Sequence, residues 1–273
     1  MQPDMLLNNS QIVVLQAQLG TWDNLNHLIV CKSSKQACIV DPFDGDYWIN
    51  VCESNGWDLS SIWLTHSHWD HTKGVDQLIT RNPNIAIHCH ELEQQRGYEQ
   101  SGITWWSHPE KTHVTDSIGD LEFDIHCTPG HTPGHITIIG NGLFITGDCL
   151  FLGRCGRTDL HGGDQKQQRS SLMYLHDIIA KLPKSWLVLP GHKYEIEENY
   201  NPNSLTIDDF LILFLCTLNQ YQRFHTMAKA SLPLYWTQYD NDLDHRKQIF
   251  QYHHHNNEYN QRHKTYCIYS PLP

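Results

Sequence analysis

The sequence is most informative first for what it lacks. Its nine cysteines lie apart at positions 31, 38, 52, 89, 127, 149, 155, 216 and 267, with no C-x-x-C pair among them. An odd, scattered set excludes a thiolate metal knuckle and gives no disulfide framework, so reduced thiols in a cytoplasmic protein are expected. Long apolar runs are missing too. The longest, Phe210 to Cys216, falls far short of the ~20 residues a membrane helix needs. Met1 to Ser10 contains no basic segment followed by an apolar stretch, so no export signal is expected. Positive charge is scarce: 19 Lys and Arg against 30 Asp and Glu give a formal net charge of −11. That balance provides no basic face for nucleic acid or an anionic membrane. A small anionic substrate stays possible if a local cationic centre holds it. No fixed-period repeat is present.

What is there suits one large domain, or a domain with an appendage, in a chain of 273 residues that is 39% hydrophobic and 11% aromatic. Strands are predicted over Gln11–Gln18, Leu25–Cys31 and Gln36–Val40, the last ending at Asp41-Pro42. A helix over Asp46–Asn55 should stop at Gly56. A short apolar strand, Ser61–Leu64, runs straight into Thr65-His66-Ser67-His68-Trp69-Asp70-His71. A helix near Gly74–Thr80 follows, then strands over Ile85–His88, Leu121–Cys127, Ile136–Ile139 and Leu143–Thr146. A helix over Gln165–Lys181 precedes a strand at Trp186–Leu189. Strands mixed with helices imply α/β layers. After Tyr200 the character changes, and residues 201–273 read as a mostly helical C-terminal extension. Asn201-Pro202-Asn203-Ser204 reads as a linker and Thr206 as a helix cap ahead of the apolar Phe210–Leu218.

Twenty histidines is an unusual number, and their placement carries the functional argument. His66, His68, Asp70 and His71 fall within six residues, directly after a strand. Histidines at i and i+2 on extended backbone point to one side and can reach one ion. The chain then turns, so that Asp70 and His71 can face a second ion. Three more candidates each follow a glycine at a strand end: His131 after Pro129-Gly130, Asp148 after Thr146-Gly147, and His192 after Pro190-Gly191. The reading is His66, His68 and His131 on one ion, Asp70, His71 and His192 on the other, and Asp148 bridging. His135 rivals His131, which is preferred because its Pro-Gly context matches that of His192. Imidazole nitrogens with a few carboxylates suit two divalent ions, zinc ahead of iron or manganese. Asp41 is expected to brace the metal loop by hydrogen bonds. Cys149 reads as a small buried residue, His88 and His90 as solvent-facing, and His253-His254-His255 as part of a solvated tail.

With Thr65 to His71 supplying H-x-H-x-D-H, the sequence resembles the metallo-β-lactamase superfamily over residues 11 to about 200. Within it, the chain looks most like the glyoxalase II (hydroxyacylglutathione hydrolase) branch. Asp23-Asn24-Leu25-Asn26, Thr128-Pro129-Gly130-His131-Thr132, Gly147-Asp148-Cys149-Leu150-Phe151, Cys155-Gly156-Arg157 and Pro190-Gly191-His192-Lys193-Tyr194 carry that likeness. The resemblance implies an αββα sandwich with metals at the sheet edges. The commonest zinc β-lactamases place a cysteine where Asp148 stands, which argues against that activity. The stretch after Arg157, Thr158 to Asp164, departs from glyoxalase II and is closer to short hydrolases of that type and to iron-dependent persulfide dioxygenases.

The expected chemistry follows from charge. Two divalent ions carry +4, and Asp70, Asp148 and a hydroxide offset three of it, leaving a surplus that polarises a carbonyl while metal binding lowers the pKa of water towards ~7. The expectation is a metal-dependent hydrolase, most naturally a thioesterase in which hydroxide attacks an S-acyl glutathione-like substrate. Asp70 and Asp148 are the catalytic carboxylates in this reading. Arg154, Arg157, Lys193 and Tyr194 flank the metal motifs and could bind substrate carboxylates. The competing readings are an iron persulfide dioxygenase using His66 or a neighbour with His131 and Asp148, a lactone or acyl-carrier thioester hydrolase, and a catalytically silent partner-binding fold. The partner expected is a small thioester, not nucleic acid or membrane.

Overall fold

The computed structural model describes residues 2–194 and 203–211, all within one structural unit that ends at Leu215. The rest of the anticipated extension, including most of the Phe210–Leu218 helix and the triple histidine, lies outside the described residues. Among the described residues no helix is long and apolar enough to cross a membrane.

Two large sheets form the body. The first has seven strands in chain order: β1 (Asp4–Asn8), β2 (Ile12–Leu19), β3 (Asn24–Cys31), β4 (Gln36–Val40), β5 (Asp58–Trp63), β6 (Ala86–His90) and β7 (Ile103–Trp106). β1 to β4 pair antiparallel, and β4 to β7 pair parallel. The second sheet contains β8 (His113–Ile118), β9 (Leu121–Cys127), β10 (Ile136–Gly140) and β11 (Leu143–Gly147). A two-stranded hairpin, β12 (Leu150–Phe151) with β13 (Arg154–Cys155), projects from it, and β14 (Leu187–Pro190) and β15 (Leu205–Thr206) complete its far edge.

The strand pattern explains the layering. Side chains alternate across a strand, so Ile12 and Val14 of β2 face one way while Val13, Leu15 and Ala17 face the other. The first set joins Ile29, Val40 and Trp63 against Phe123, Ile125, Ile136, Ile138 and Ile145 of the second sheet, filling the space between the sheets. The second set meets Trp48, Ile49 and Cys52 of α1 (Gly45–Asn55), and α2 (Trp69–Thr72) leads into α3 (Val75–Arg81), whose Val75 and Leu78 join the same layer. α1 opens where Asp44 accepts from the Tyr47 amide and closes at Gly56 with φ +68°, the predicted stop. After α4 (Glu91–Arg96), the last described long helix, α5 (Gln165–Ile179), is capped by Asp164 and buries Gln168, Ser171, Leu172, Leu175 and Ile179.

The start of the extension and the His88–His90 segment differ from the sequence reading, and β1, β7 and β8 are strands it did not include. Residues 203–211, placed there in the extension, include β15, which pairs antiparallel with β14, and the buried side chains of Leu205, Ile207 and Phe210. Thr206 does cap the short helical stretch after it: its Oγ accepts from the Asp209 amide at 3.3 Å and donates to Asp209 Oδ2 at 2.8 Å. His88 and His90 are not solvent-facing. β6 lies inside a parallel sheet covered on both sides, so His90 is fully buried and donates to the His108 carbonyl at 3.0 Å, while His88 Nδ1 lies 2.7 Å from Asp116 Oδ2.

Candidate metal centre

Strand direction brings the candidate ligands to one end of the sandwich. β4 and β5 run parallel and end in Asp41 and in the loop carrying His66, His68, Asp70 and His71. β11 and β14 also run parallel and deliver Asp148 and His192 directly after their last residues. β9 runs in the same sense as β11, because each is antiparallel to β10, so the loop with His131 emerges there too. Two glycines are demanded by the geometry. Gly147 has φ +47°, and a Cβ on Gly191 would strike Asp148 Oδ1.

All seven residues read from the sequence as ligands converge. One cluster joins His66, His68 and His131, and another joins Asp70, His71 and His192, with the donor atoms of each within 4.8 Å of one another. His131 Nε2 faces His68 Nδ1 at 2.9 Å, and His71 Nε2 faces His192 Nε2 at 3.1 Å. Asp148 touches both clusters: its Oδ2 lies 3.5 Å from His131 Nε2 and 3.3 Å from His192 Nε2, and its Oδ1 lies 3.3 Å from His71 Nε2. His135, the rival of His131, is engaged elsewhere. Its Nε2 accepts from the amides of Asp148 and Cys149 at 3.0 and 3.1 Å, which leaves it no lone pair for an ion.

The outer nitrogens fix the tautomers. His192 Nδ1 donates to the Trp22 carbonyl at 2.8 Å and His131 Nδ1 to the Arg157 carbonyl at 2.7 Å. His71 Nδ1 donates to Asp41 Oδ2 at 2.9 Å. Thr65 Oγ gives its proton to Asp41 Oδ2 at 2.6 Å, so the contact of His66 Nδ1 with Thr65 Oγ at 3.0 Å runs from ring to hydroxyl. In four rings Nδ1 is therefore the outer donor, and Nε2 is left facing the centre. His66 Nε2 and Asp148 Oδ1 are buried with no hydrogen-bond partner. Nitrogens and carboxylate oxygens packed this closely need protons or cations between them. Two nitrogens ~2.0–2.1 Å from one tetrahedral zinc lie roughly 3.3 Å apart, close to the spacings seen. The donor set fits metal ions.

Charge separates the two clusters. Burial holds His66 and His131 below the ordinary histidine value and takes His68 down to about 3, with neighbouring rings adding to the effect. Burial opposes charge on His71 and His192 as well, but Asp148 outweighs it, with Asp41 beside His71 and Asp70 beside His192, raising them to about 10 and about 11. Asp70 resists burial through its bond to His192, the charge of His71 and a 2.8 Å bond from Asn24, and settles at about 2. Asp148, also against burial, is held well below the carboxylate range by His71 and His192.

Asp41 braces the loop as anticipated: it accepts from the Thr65 amide at 2.7 Å as well as from the Thr65 hydroxyl and His71. Sequence reasoning missed a second brace. Glu93 of α4 is fully buried and accepts from the amides of Ser67 at 2.9 Å and Gly134 at 2.8 Å, and from the Ser67 hydroxyl, tying together the loops of His66–His68 and His131. Arg96 adds a bond to Ser67 Oγ at 2.9 Å and another to the His161 carbonyl at 2.8 Å. From α5, Gln168 donates to the Cys149 carbonyl at 2.6 Å and Ser171 to the Pro129 carbonyl at 2.6 Å. Cys149 is buried as read, and burial raises its thiol pKa.

The flanking residues divide. Arg154 stacks on Tyr194, its guanidinium carbon 4.3 Å from the ring centroid, and Tyr194 lies 6.3 Å from the His192 ring. Arg157 is engaged with Asp159 through two bonds of 2.6 and 2.7 Å. Lys193 is half-buried, and its amide donates to the Asp23 carbonyl at 2.9 Å.

A family model described as the metallo-β-lactamase superfamily matches residues 26–192, more than half of the chain and every ligand position. The chain belongs to the metallo-β-lactamase superfamily. Members of that superfamily are metal-dependent hydrolases with a two-metal site, and the paired clusters here fit such a site. Among solved structures, ETHE1 from Myxococcus xanthus is similar at 23% identity and a TM-score of 0.62, over 80% of this chain and 91% of that one. The BLEG-1 B3 metallo-β-lactamase is similar at 27% identity and 0.55, over 71% and 94%. TTHA1623 in a di-iron-bound form gives 24% and 0.54, again over 71% and 94%. The sandwich expected from the superfamily motif is the fold observed.

Proposed function

We propose that the protein is a thioesterase of the glyoxalase II-like kind, acting on an S-acyl derivative of an anionic thiol. The observation that carries this reading is Asp148, whose carboxylate touches His131 of one cluster and both His71 and His192 of the other. A carboxylate so placed suits two ions sharing a ligand, held by His66, His68 and His131 on one side and Asp70, His71 and His192 on the other. Two divalent ions there, zinc foremost, would supply Lewis acidity and bring the pKa of water to ~7.

The chain's own groups do the rest. Asp70, ionised at neutral pH, orients the attacking water by accepting one of its protons. Water adds to the thioester carbonyl, the C–S bond breaks, and the products are a carboxylic acid and a thiol. The thiol is a good leaving group and needs little proton donation, which suits a site holding acceptors rather than acids. Arg154 and Tyr194 form the recognition patch for the carrier thiol. The guanidinium takes a carboxylate, and the Tyr194 phenol, its pKa raised by burial, stays a neutral donor. Arg157 is bonded to Asp159 and takes a smaller part in this reading, and Lys193 lies beside the patch.

The test is thiol release from S-lactoylglutathione by zinc-loaded protein, with oxygen uptake on glutathione persulfide and hydrolysis of a β-lactam measured alongside. Thiol release at kcat/KM above ~10⁴ M⁻¹s⁻¹ is expected. The likeness to a di-iron-bound structure favours one second reading, an iron enzyme consuming oxygen. Oxygen uptake by iron-loaded protein without thiol release would establish that reading in place of the thioesterase.

A further inference from the structure

Two tryptophans stand exposed at the same end of the sandwich as the metal centre. Trp22 lies in the β2–β3 turn and Trp69 lies between His68 and Asp70, each 59% exposed. Their rings meet edge to face, with centroids 5.7 Å apart at 73°. Phe43 closes the group, edge-on to Trp69 at 6.1 Å, and Lys73 Nζ sits 4.0 Å above the Phe43 ring. The other exposed large apolar side chains among the described residues are Met5, Leu160 and Met173. None of these three is aromatic, so the tryptophan pair is a distinct feature.

The corner is held in place by the same backbone that sets the ligands. The Trp22 carbonyl takes the His192 Nδ1 proton at 2.8 Å, and the next carbonyl, of Asp23, takes the Lys193 amide at 2.9 Å. Trp69 opens α2, the turn that presents Asp70 and His71. Gly20, at φ +77°, leaves room for Phe43, whose ring occupies the space that a Cβ would need. The Phe43 amide is pinned to Asn26 Oδ1 at 2.8 Å. Two indoles fixed in this way keep apolar surface in water at about 25 cal/mol per Å². A surface that ends at a ligand-bearing loop is covered most economically by the molecule that visits the site.

We infer that Trp22 and Trp69, backed by Phe43, form a subsite for an apolar acyl chain of several carbons. This rests on the thioester reading above and deepens it. The acyl group lies in the tryptophan corner on the Trp22 side of His192, and the carrier thiol lies towards Arg154 and Tyr194. It follows that the preferred acyl group is longer and more apolar than lactoyl.

The experiment compares octanoyl and acetyl thioesters of one thiol on zinc-loaded wild type, W22A/W69A and W22F/W69F. Calorimetric binding of octanoate and acetate to the same proteins gives a readout that does not need turnover. The octanoyl-to-acetyl ratio of kcat/KM should fall about tenfold or more in the alanine pair, octanoate affinity should fall in parallel, and the phenylalanine pair should keep most of both. An unchanged ratio with unchanged octanoate affinity would overturn the subsite. So would equal losses on both substrates, which would make the tryptophans mere supports of the ligand loops. A dimer by sedimentation that dissociates in the alanine pair would assign the corner to a second copy of the chain and likewise overturn it. If no thioester is hydrolysed but octanoate binding is lost in the alanine pair, the subsite stands and the thioesterase reading fails.

Discussion

The two halves of the metal centre are built from similar parts and tuned in opposite directions. The half of His66, His68 and His131 is all imidazole; burial and neighbouring rings depress those pKa values, so the rings are neutral and ready to ligate at neutral pH. The half of Asp70, His71 and His192 is rich in carboxylate, and its histidines are raised to about 10 and about 11. Without metal that half holds protons where ions would sit. The first half would hold an ion without displacing protons, and the second would exchange protons for one. Asp148, touching both, couples the two.

The largest test of this contrast removes the coupling residue. Asp148→Ala should lower turnover on the order of 10³-fold, about 4 kcal/mol of barrier, and leave at most about one ion per chain by elemental analysis. Full activity with two ions retained would remove Asp148 from the centre. Breaking one half at a time sharpens the comparison. His131→Ala and His192→Ala should each lose one ion, and spectroscopy of a cobalt-substituted protein should show mixed imidazole and carboxylate ligation in His131→Ala and an imidazole-dominated environment in His192→Ala. Identical spectra would mean that the halves are not separate sites. Asp41→Asn should weaken metal binding about 10–100-fold in chelator competition, because His71 and Thr65 both lose a carboxylate acceptor.

Smaller effects follow. Loading the metal-free protein at pH 7 should release about one to two protons with the second ion and close to none with the first, read by calorimetry in buffers of different ionisation enthalpy. The sign for the metal-free fold agrees. Charges on His71 and His192 stabilise it fully below the unfolded value near 6.5, and that contribution is lost as pH rises through about 10 to 11. Glu93→Gln should cost roughly 1–3 kcal/mol by thermal melt, since the amides of Ser67 and Gly134 would lose a carboxylate acceptor in a dry setting.

Much of the centre was legible because its signals are local. His66 to His71 declare themselves by donor type and spacing, and the glycines before His131, Asp148 and His192 mark strand ends. The choice of His131 over His135 rests on a Pro-Gly context, and it is His131 whose donor atom joins those of His66 and His68 in one cluster. The bracing by Glu93 had no such signal. The six-residue helix from Glu91 to Arg96 has one apolar residue, Leu92, and Glu93 is buried because it meets amides 26 and 41 residues away. The strands β1, β7 and β8 were missed, and for β8 the reason is related: with one side in solvent, His113–Ile118 carries too few apolar residues to declare a strand. His88-Cys89-His90 misled in the other direction. Alternation along a strand signals solvent only where one face is open, and at His90 both faces of β6 are covered.

Metal titration of chelator-stripped protein, with activity followed at each step, tests whether two ions are joined through Asp148. Two equivalents of zinc should bind, turnover should appear with the second, and Asp148→Ala should stop at one equivalent without turnover. Full activity at one equivalent, unchanged by further metal, would contradict that arrangement.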